Sequence, residues 1–202
     1  LSTVAWKGNC EQVIGVEPSP DMLAVARQKE ENGISFVQAY SHDLPFADES
    51  VDVVVCSQSF HWMNPKETLP EINRVLKKGG IFATVDADWP AVCNWEAELA
   101  YLQLHEAIAK VEEEHPQFKE KYLRFDKTHH LANIKNSGFF RYAREILFAN
   151  TEKCNAKRFV ELALSQGGLQ SILKSNPEYV QTHIQTYQDT IYAIFQEKEF
   201  TV

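Results

Sequence analysis

Short apolar runs that pass straight into helix starts constrain this chain more than any other feature. Val13-Ile14-Gly15-Val16 has the pattern of a short buried strand, and Glu17 stands where it ends. Next come Pro18-Ser19-Pro20-Asp21. Ser19 is a natural N-cap, Pro20 suits the first helical position, and Asp21 complements the positive end of a helix. Glu17 is therefore an acid at the carboxyl edge of a strand. Nucleotide-binding α/β sheets place there the carboxylate that accepts hydrogen bonds from both ribose hydroxyls. The plainer alternative is a solvated glutamate at a strand end.

The same switch recurs. Ser19 to about Glu31 reads as a helix closed by Asn32-Gly33, and Ile34–Ala39 as a strand. Asp48-Glu49-Ser50 is a turn before Val51–Cys56, a fully buried strand by its continuous apolar pattern. Asn64-Pro65-Lys66-Glu67 opens the next helix, with Leu69, Ile72, Val75 and Leu76 on its apolar face. Lys77-Lys78 suit its negative end, Gly79-Gly80 stop it, and Ile81–Val85 is another strand. Strand–helix repetition of this kind predicts an α/β fold with a mostly parallel sheet, helices on both faces and right-handed crossovers.

From Asp86 the pattern turns helical. Helices are predicted from Trp95 to about Glu114, from His129 to Asn136, over Thr151–Ser165 and from Tyr179 to about Glu197. Tyr142–Phe148 alternates as a strand, Gly167-Gly168 reads as a break, and Phe200-Thr201-Val202 begins a last strand. The expected division is a sheet-forming core over 1–90 and, over 91–202, a helical lid across the cofactor edge together with the remaining strand or strands.

Composition narrows the function. The 202 residues are 44% hydrophobic, enough for one domain with a helical appendage. No run of apolar residues reaches membrane-spanning length, and no signal-peptide pattern opens the chain. A net charge of −8 argues against a general nucleic-acid partner. Cys10, Cys56, Cys93 and Cys154 are scattered without metal spacing, so they are expected to be reduced in a cytoplasmic protein, with no metal site. His129 and His130 are adjacent, so on a helix they diverge by about 100°. Capping or solvent exposure is the expected role for that pair. Oligomeric state stays open.

Two further strand ends carry chemistry. Tyr40-Ser41-His42-Asp43-Leu44-Pro45-Phe46 leaves the sheet at the edge where Glu17 points, and can offer a backbone N–H and an acceptor to an adenine ring. Cys56-Ser57-Gln58-Ser59-Phe60-His61-Trp62 leaves it where the reactive end of a cofactor would lie. His61 is the candidate general base, or half of a structural pair with Trp62. Trp62, Trp89 and Trp95 are candidate walls of a substrate pocket. Arg124, Arg141 and Arg144 are candidates to position an anionic substrate.

Four passages in order resemble the class I S-adenosylmethionine-dependent methyltransferases, in the group with small-molecule substrates (methyltransferase domain 11 type). Val13–Ser19 looks like the ribose-binding strand end. Asp43–Val54 looks like the L-P-F…S-x-D-x-V passage, Phe60-His61-Trp62 like the H-W variant, and Glu71–Gly80 like E-x-x-R-V-L-K-x-G-G. The resemblance covers roughly residues 1–90 and implies a Rossmann-like sheet. It also implies S-adenosylmethionine as cofactor and methyl transfer to a small molecule, with O-methylation of a carboxylate or hydroxyl foremost. It places Glu17, Pro18 and Ser19 at the ribose, Tyr40, Ser41 and His42 at adenine, and Gln58 and Ser59 near the methionine portion. Relatives often carry other residues at positions 40–42, so the adenine contacts are expected to differ.

The glycine turn of such a site lies about 20 residues before the acid, and counting back from Glu17 passes Leu1. Leu1–Lys7 reads as the tail of the helix that follows that turn. The expectation is a native beginning, with a strand and the glycine loop, ahead of Leu1, and poor cofactor binding without it. Two other functions fit less of the pattern. One is a non-catalytic methyltransferase-like binding module, the other a nicotinamide-dependent oxidoreductase.

Overall fold

Each of the first two helices starts at a proline behind a side-chain cap. In the computed structural model, which describes residues 2–87, 90–119 and 123–202, strand β1 is Val13–Val16 and helix α1 is Pro20–Arg27. Ser19 Oγ accepts the Met22 N–H and Asp21 sits in the first turn, as the local chemistry dictates. Strand β2, Ile34–Val37, pairs with β1 in parallel. Strand β3, Val51–Ser57, is followed by a 3-10 turn at Phe60–Trp62 and by helix α2, Pro65–Val75, capped by Asn64. Strand β4, Leu76–Val85, pairs with β3 in parallel. The described strands thus form two parallel pairs, β1–β2 and β3–β4, and the fold is α/β.

Several boundaries differ from expectation, each for a local reason. Helix α1 stops at Arg27 rather than near Glu31, because turns carry the chain to Gly33, whose φ of 82° only glycine adopts freely. Helix α2 ends at Val75, not at the glycines. Leu76 already pairs with Val51, and Lys77–Gly80 are an irregular excursion before Ile81 rejoins the ladder opposite Val53. Lys77 is drawn outward by Asp52, 2.9 Å away. Strand β3 is not fully buried. Its burial is mixed, with Val53 43% exposed, and among the described residues it pairs on one side only. Residues 2–6 form a short 3-10 helix.

The chain divides into two compact units. The first comprises Leu1–Asp86 and Arg124–Glu145, and includes helix α5, His130–Asn136. It holds two small cores. Leu23, Ala26, Ile34 and Phe36 pack under β1–β2, while Cys56, Phe60 and Leu69 pack beneath β3, with Phe82, Ile134 and Phe140 against them.

The second unit comprises Ala87–Leu123 and Ile146–Val202. Helix α3, Trp95–Glu114, matches the expected span. Helix α4 is Pro116–Lys119, α6 Ala156–Leu164, α7 Gly167–Ser175 and α8 Gln181–Phe195. Gly167-Gly168 therefore opens a helix instead of interrupting one. The expected helix over Thr151–Ser165 yields its first residues to strand β5, Lys153–Cys154, which pairs antiparallel with β6, Phe200–Thr201. One core unites this unit, with Leu104, Ile108, Phe159, Ile191 and Phe195 at its centre. Tyr142–Phe148 forms no strand. Its alternation describes a face, but a strand needs a ladder neighbour, and Leu147 and Phe148 are 82% and 77% exposed.

Candidate functional site

Parallel pairing of β1 with β2 brings two of the expected strand ends together. Glu17 N–H donates to Val37 O at 3.1 Å, and Gln38 Nε2 donates to Pro18 O at 3.1 Å. Glu17–Ser19 and the segment leaving β2 therefore share one edge. Glu17 Oε1 accepts the Ser19 N–H at 3.0 Å, which holds the turn into α1. Its other carboxylate oxygen takes no hydrogen bond among the described residues, and the side chain is half-buried.

Beyond β2, Tyr40 and Asp43 close a tight turn in which the rings of Tyr40 and His42 stack, 5.6 Å apart. Ser41 Oγ lies 2.8 Å from Thr68 Oγ1, which pins this turn to α2. The stronger pin was not assigned from sequence. Arg74 grips Glu71 through Nε and Nη2, at 2.8 and 2.6 Å. It also donates to Asp48 at 2.7 Å and to the carbonyls of Phe46 and Leu44 at 2.8 and 3.0 Å. Glu71 returns the contact by accepting the Leu44 N–H at 2.8 Å. Arg74's hydrogen bonds hold the Glu71 carboxyl below the usual carboxylate range. This explains physically why L-P-F and E-x-x-R belong together: the helix pair holds the loop's backbone polar groups. The signal was the i, i+3 Glu–Arg spacing on one helical face.

Parallel pairing of β3 with β4 brings the third strand end beside Asp86. Gln58, just past β3, has a φ of 50°, a left-handed conformation that is costly for a side chain other than glycine. Its N–H donates to Val85 O, and its Oε1 accepts from Lys127 Nζ at 2.7 Å. Lys127 also lies 3.0 Å from Asp86 Oδ1. His61 O accepts the Phe125 N–H at 2.8 Å, and the Arg124 guanidinium sits over the Trp62 ring, 5.7 Å from its centre. A cavity of about 380 Å³ is lined by Arg124, Phe125, Asp126 and Lys127. Burial, then the charges of Lys127 and Arg124, push the His61 imidazole down to about 4, against the upward pull of Asp86. Burial pushes the Cys56 thiol up to about 12, so it is a core residue and not a nucleophile.

Of the remaining expected residues, Ser59 precedes the 3-10 turn without a capping bond. Trp95 begins α3 in the second unit and is 70% exposed. Trp89 lies outside the described residues. Arg141 and Arg144 are exposed. His130 corrects an expectation. It is 6% exposed, while its neighbour His129 is exposed. Glu17 does not line the cavity at Arg124–Lys127, nor a second one of about 170 Å³ between α3 and α8. No helix among the described residues is long and apolar enough to cross a membrane.

Parallel strand pairs with crossover helices, and an acid at the carboxyl end of β1, define a Rossmann-like α/β fold. Solved structures share this fold. One from Anaeromyxobacter dehalogenans has a TM-score of 0.57 at 15% identity, covering 95% of this chain and 76% of that one. The YcgJ protein of Bacillus subtilis has a TM-score of 0.54 at 17% identity, covering 98% and 80%. Residues 1–84 match the family model described as a methyltransferase domain. An uncharacterized methyltransferase of Mycobacterium tuberculosis is 33% identical over 87 residues, which are 43% of this chain and 35% of that protein. The chain thus spans about a third of the length of such curated relatives. By this match residues 1–84 are similar to a methyltransferase domain, a resemblance that implies S-adenosylmethionine as cofactor.

The residues present suit the adenosine half of that cofactor. A half-buried carboxylate with an oxygen to spare stands at the strand edge, and a turn braced by Ser41 and Arg74 stands beside it.

Proposed function

We propose that the protein transfers a methyl group from S-adenosylmethionine to an oxygen of a small anionic molecule, a carboxylate foremost. The observation that carries this reading is the shared edge of β1 and β2, from which Glu17 and the segment leading to the Tyr40–His42 turn both emerge. Glu17 holds the ribose hydroxyls. Pro18 and Ser19 flank the ribose, and Tyr40, Ser41 and His42 frame the adenine. Gln58 and Ser59 stand toward the methionine end. When bound, the cofactor supplies a methyl group made electrophilic by its cationic sulfur.

What remains for the chain is to orient the acceptor in line and to exclude water. Arg124 and Lys127 line one cavity, and Arg124 is steadied against Trp62. Two cations beside an aromatic face suit a carboxylate better than a neutral acceptor. A carboxylate releases no proton on methylation, so His61 is not required as a base. A hydroxyl acceptor would use it. The net charge of −8 is in keeping with a small-molecule substrate rather than a nucleic acid.

Calorimetric titration with S-adenosylhomocysteine tests the carrying observation. The full-length protein binds, and Glu17→Ala in it binds about 10- to 100-fold more weakly, the worth of charge-assisted hydrogen bonds. Equal affinity in the variant, or no binding by the full-length protein, would sink the reading.

A further inference from the structure

We propose that His61, Asp86 and His130 form a binding site for a zinc-class divalent metal ion. The three come from segments far apart in the chain, yet their ligand atoms all lie within 4.8 Å of one another. The topology accounts for this. β3 and β4 are parallel neighbours, so the turn holding His61 and the residue following β4, Asp86, leave the same sheet edge. His130 opens α5, and its ring packs edge-on against Phe60, 4.9 Å away, beside His61 in sequence.

The donors lie close together without hydrogen-bonding to each other. His61 Nδ1 lies 3.7 Å from Asp86 Oδ1, and His130 Nε2 lies 3.8 Å from Asp86 Oδ2. Both separations exceed a hydrogen bond. Two ligands about 2.0–2.1 Å from a tetrahedral ion sit roughly 3.4 Å apart, so these two edges need to close by a few tenths of an ångström, and the widest separation in the set, within 4.8 Å, by up to about 1.4 Å. His61 and His130 are 5% and 6% exposed. His61 Nδ1 and both ring nitrogens of His130 have no hydrogen-bond partner among the described residues. Imidazole nitrogens buried this deeply without a partner are costly unless something binds them.

The donor set selects the ion. Two imidazoles and one carboxylate suit zinc, cobalt or ferrous iron, and leave a fourth position open. A single carboxylate suits magnesium or calcium poorly. Lys127, 3.0 Å from Asp86 Oδ1, orients the carboxylate as outer partners of metal ligands do. Its charge opposes a cation, so it also limits affinity.

The test uses the whole chain and the metals alone, independently of any methyl-transfer assay. Apo protein is titrated with Co²⁺ and Zn²⁺, read by cobalt visible absorption and by calorimetry. One equivalent binds to wild type, with cobalt bands of nitrogen and oxygen ligation. Asp86→Asn and His130→Gln each weaken binding at least about tenfold, and Lys127→Met tightens it. Asp86 has a side-chain exposure of 18%, so Asp86→Asn keeps the test decisive if a buried histidine variant unfolds. Circular dichroism confirms folding. Wild-type affinity in Asp86→Asn, no saturable binding, or an intense thiolate–cobalt band that disappears on cysteine substitution would each overturn the site. Loss of S-adenosylhomocysteine binding in Glu17→Ala with intact cobalt binding separates the two proposals.

Discussion

At the residue scale, Glu71 and Arg74 decide more than their surface chemistry suggests. The pair is bidentate, and Glu71 is 15% exposed at its side chain, so truncating one partner strands the other. Glu71→Gln should cost about 1–3 kcal/mol. The pH dependence has a definite sign. The folded carboxyl lies below its ordinary value of 4.5. Its contribution is therefore present above that pH and is lost as pH falls through the folded value. Acid titrations of stability should show wild type losing more than Glu71→Gln below that point. Identical acid profiles would mean the pair contributes nothing. Glu17 was legible as a site candidate because its strand and cap are local signals. The contacts of Arg74 with Leu44, Phe46 and Asp48 were not, since they span the chain and follow from tertiary packing.

At the scale of elements, the strand–helix alternation specified the parallel pairs, because a crossover helix between neighbouring strands leaves little other choice. Boundaries were less legible. Gly167-Gly168 carries no local sign that tells a helix start from a break, and the alternation of Tyr142–Phe148 could not reveal whether a neighbour exists to pair with. The triad of His61, Asp86 and His130 has no sequence spacing at all. Gly15 offers a direct test of β1–β2 packing. A Cβ there would stand 2.4 Å from Phe36 Cδ1 and 2.9 Å from Thr3 Oγ1. Gly15→Ala should destabilise by about 1–3 kcal/mol, measured by urea unfolding. A neutral result would show that the Phe36 ring moves aside freely.

On the scale of the whole molecule, the two units keep separate cores. The strands of the first leave apolar side chains partly exposed, including Ile14 at 39% and Ile81 at 60%. The second is centred on residues such as Ile191 and Phe195, each 0% exposed. Amide exchange should accordingly be slowest in α3 and α8 and faster in β1 and β2. Phe195→Ala should cost about 3–5 kcal/mol and strip protection from α8 first. Uniform protection across both units would contradict separate cores.

The guanidinium of residue 74 writes the loop's demands onto a helix. One planar group answers two backbone carbonyls and two acids at once, and lysine, with a single nitrogen, cannot serve all four. Descendants of this chain that lose the arginine must redraw the stretch from Leu44 to Asp48 in the same step. Inheritance at positions so distant in the chain is thereby coupled, and paired substitutions should outnumber single ones.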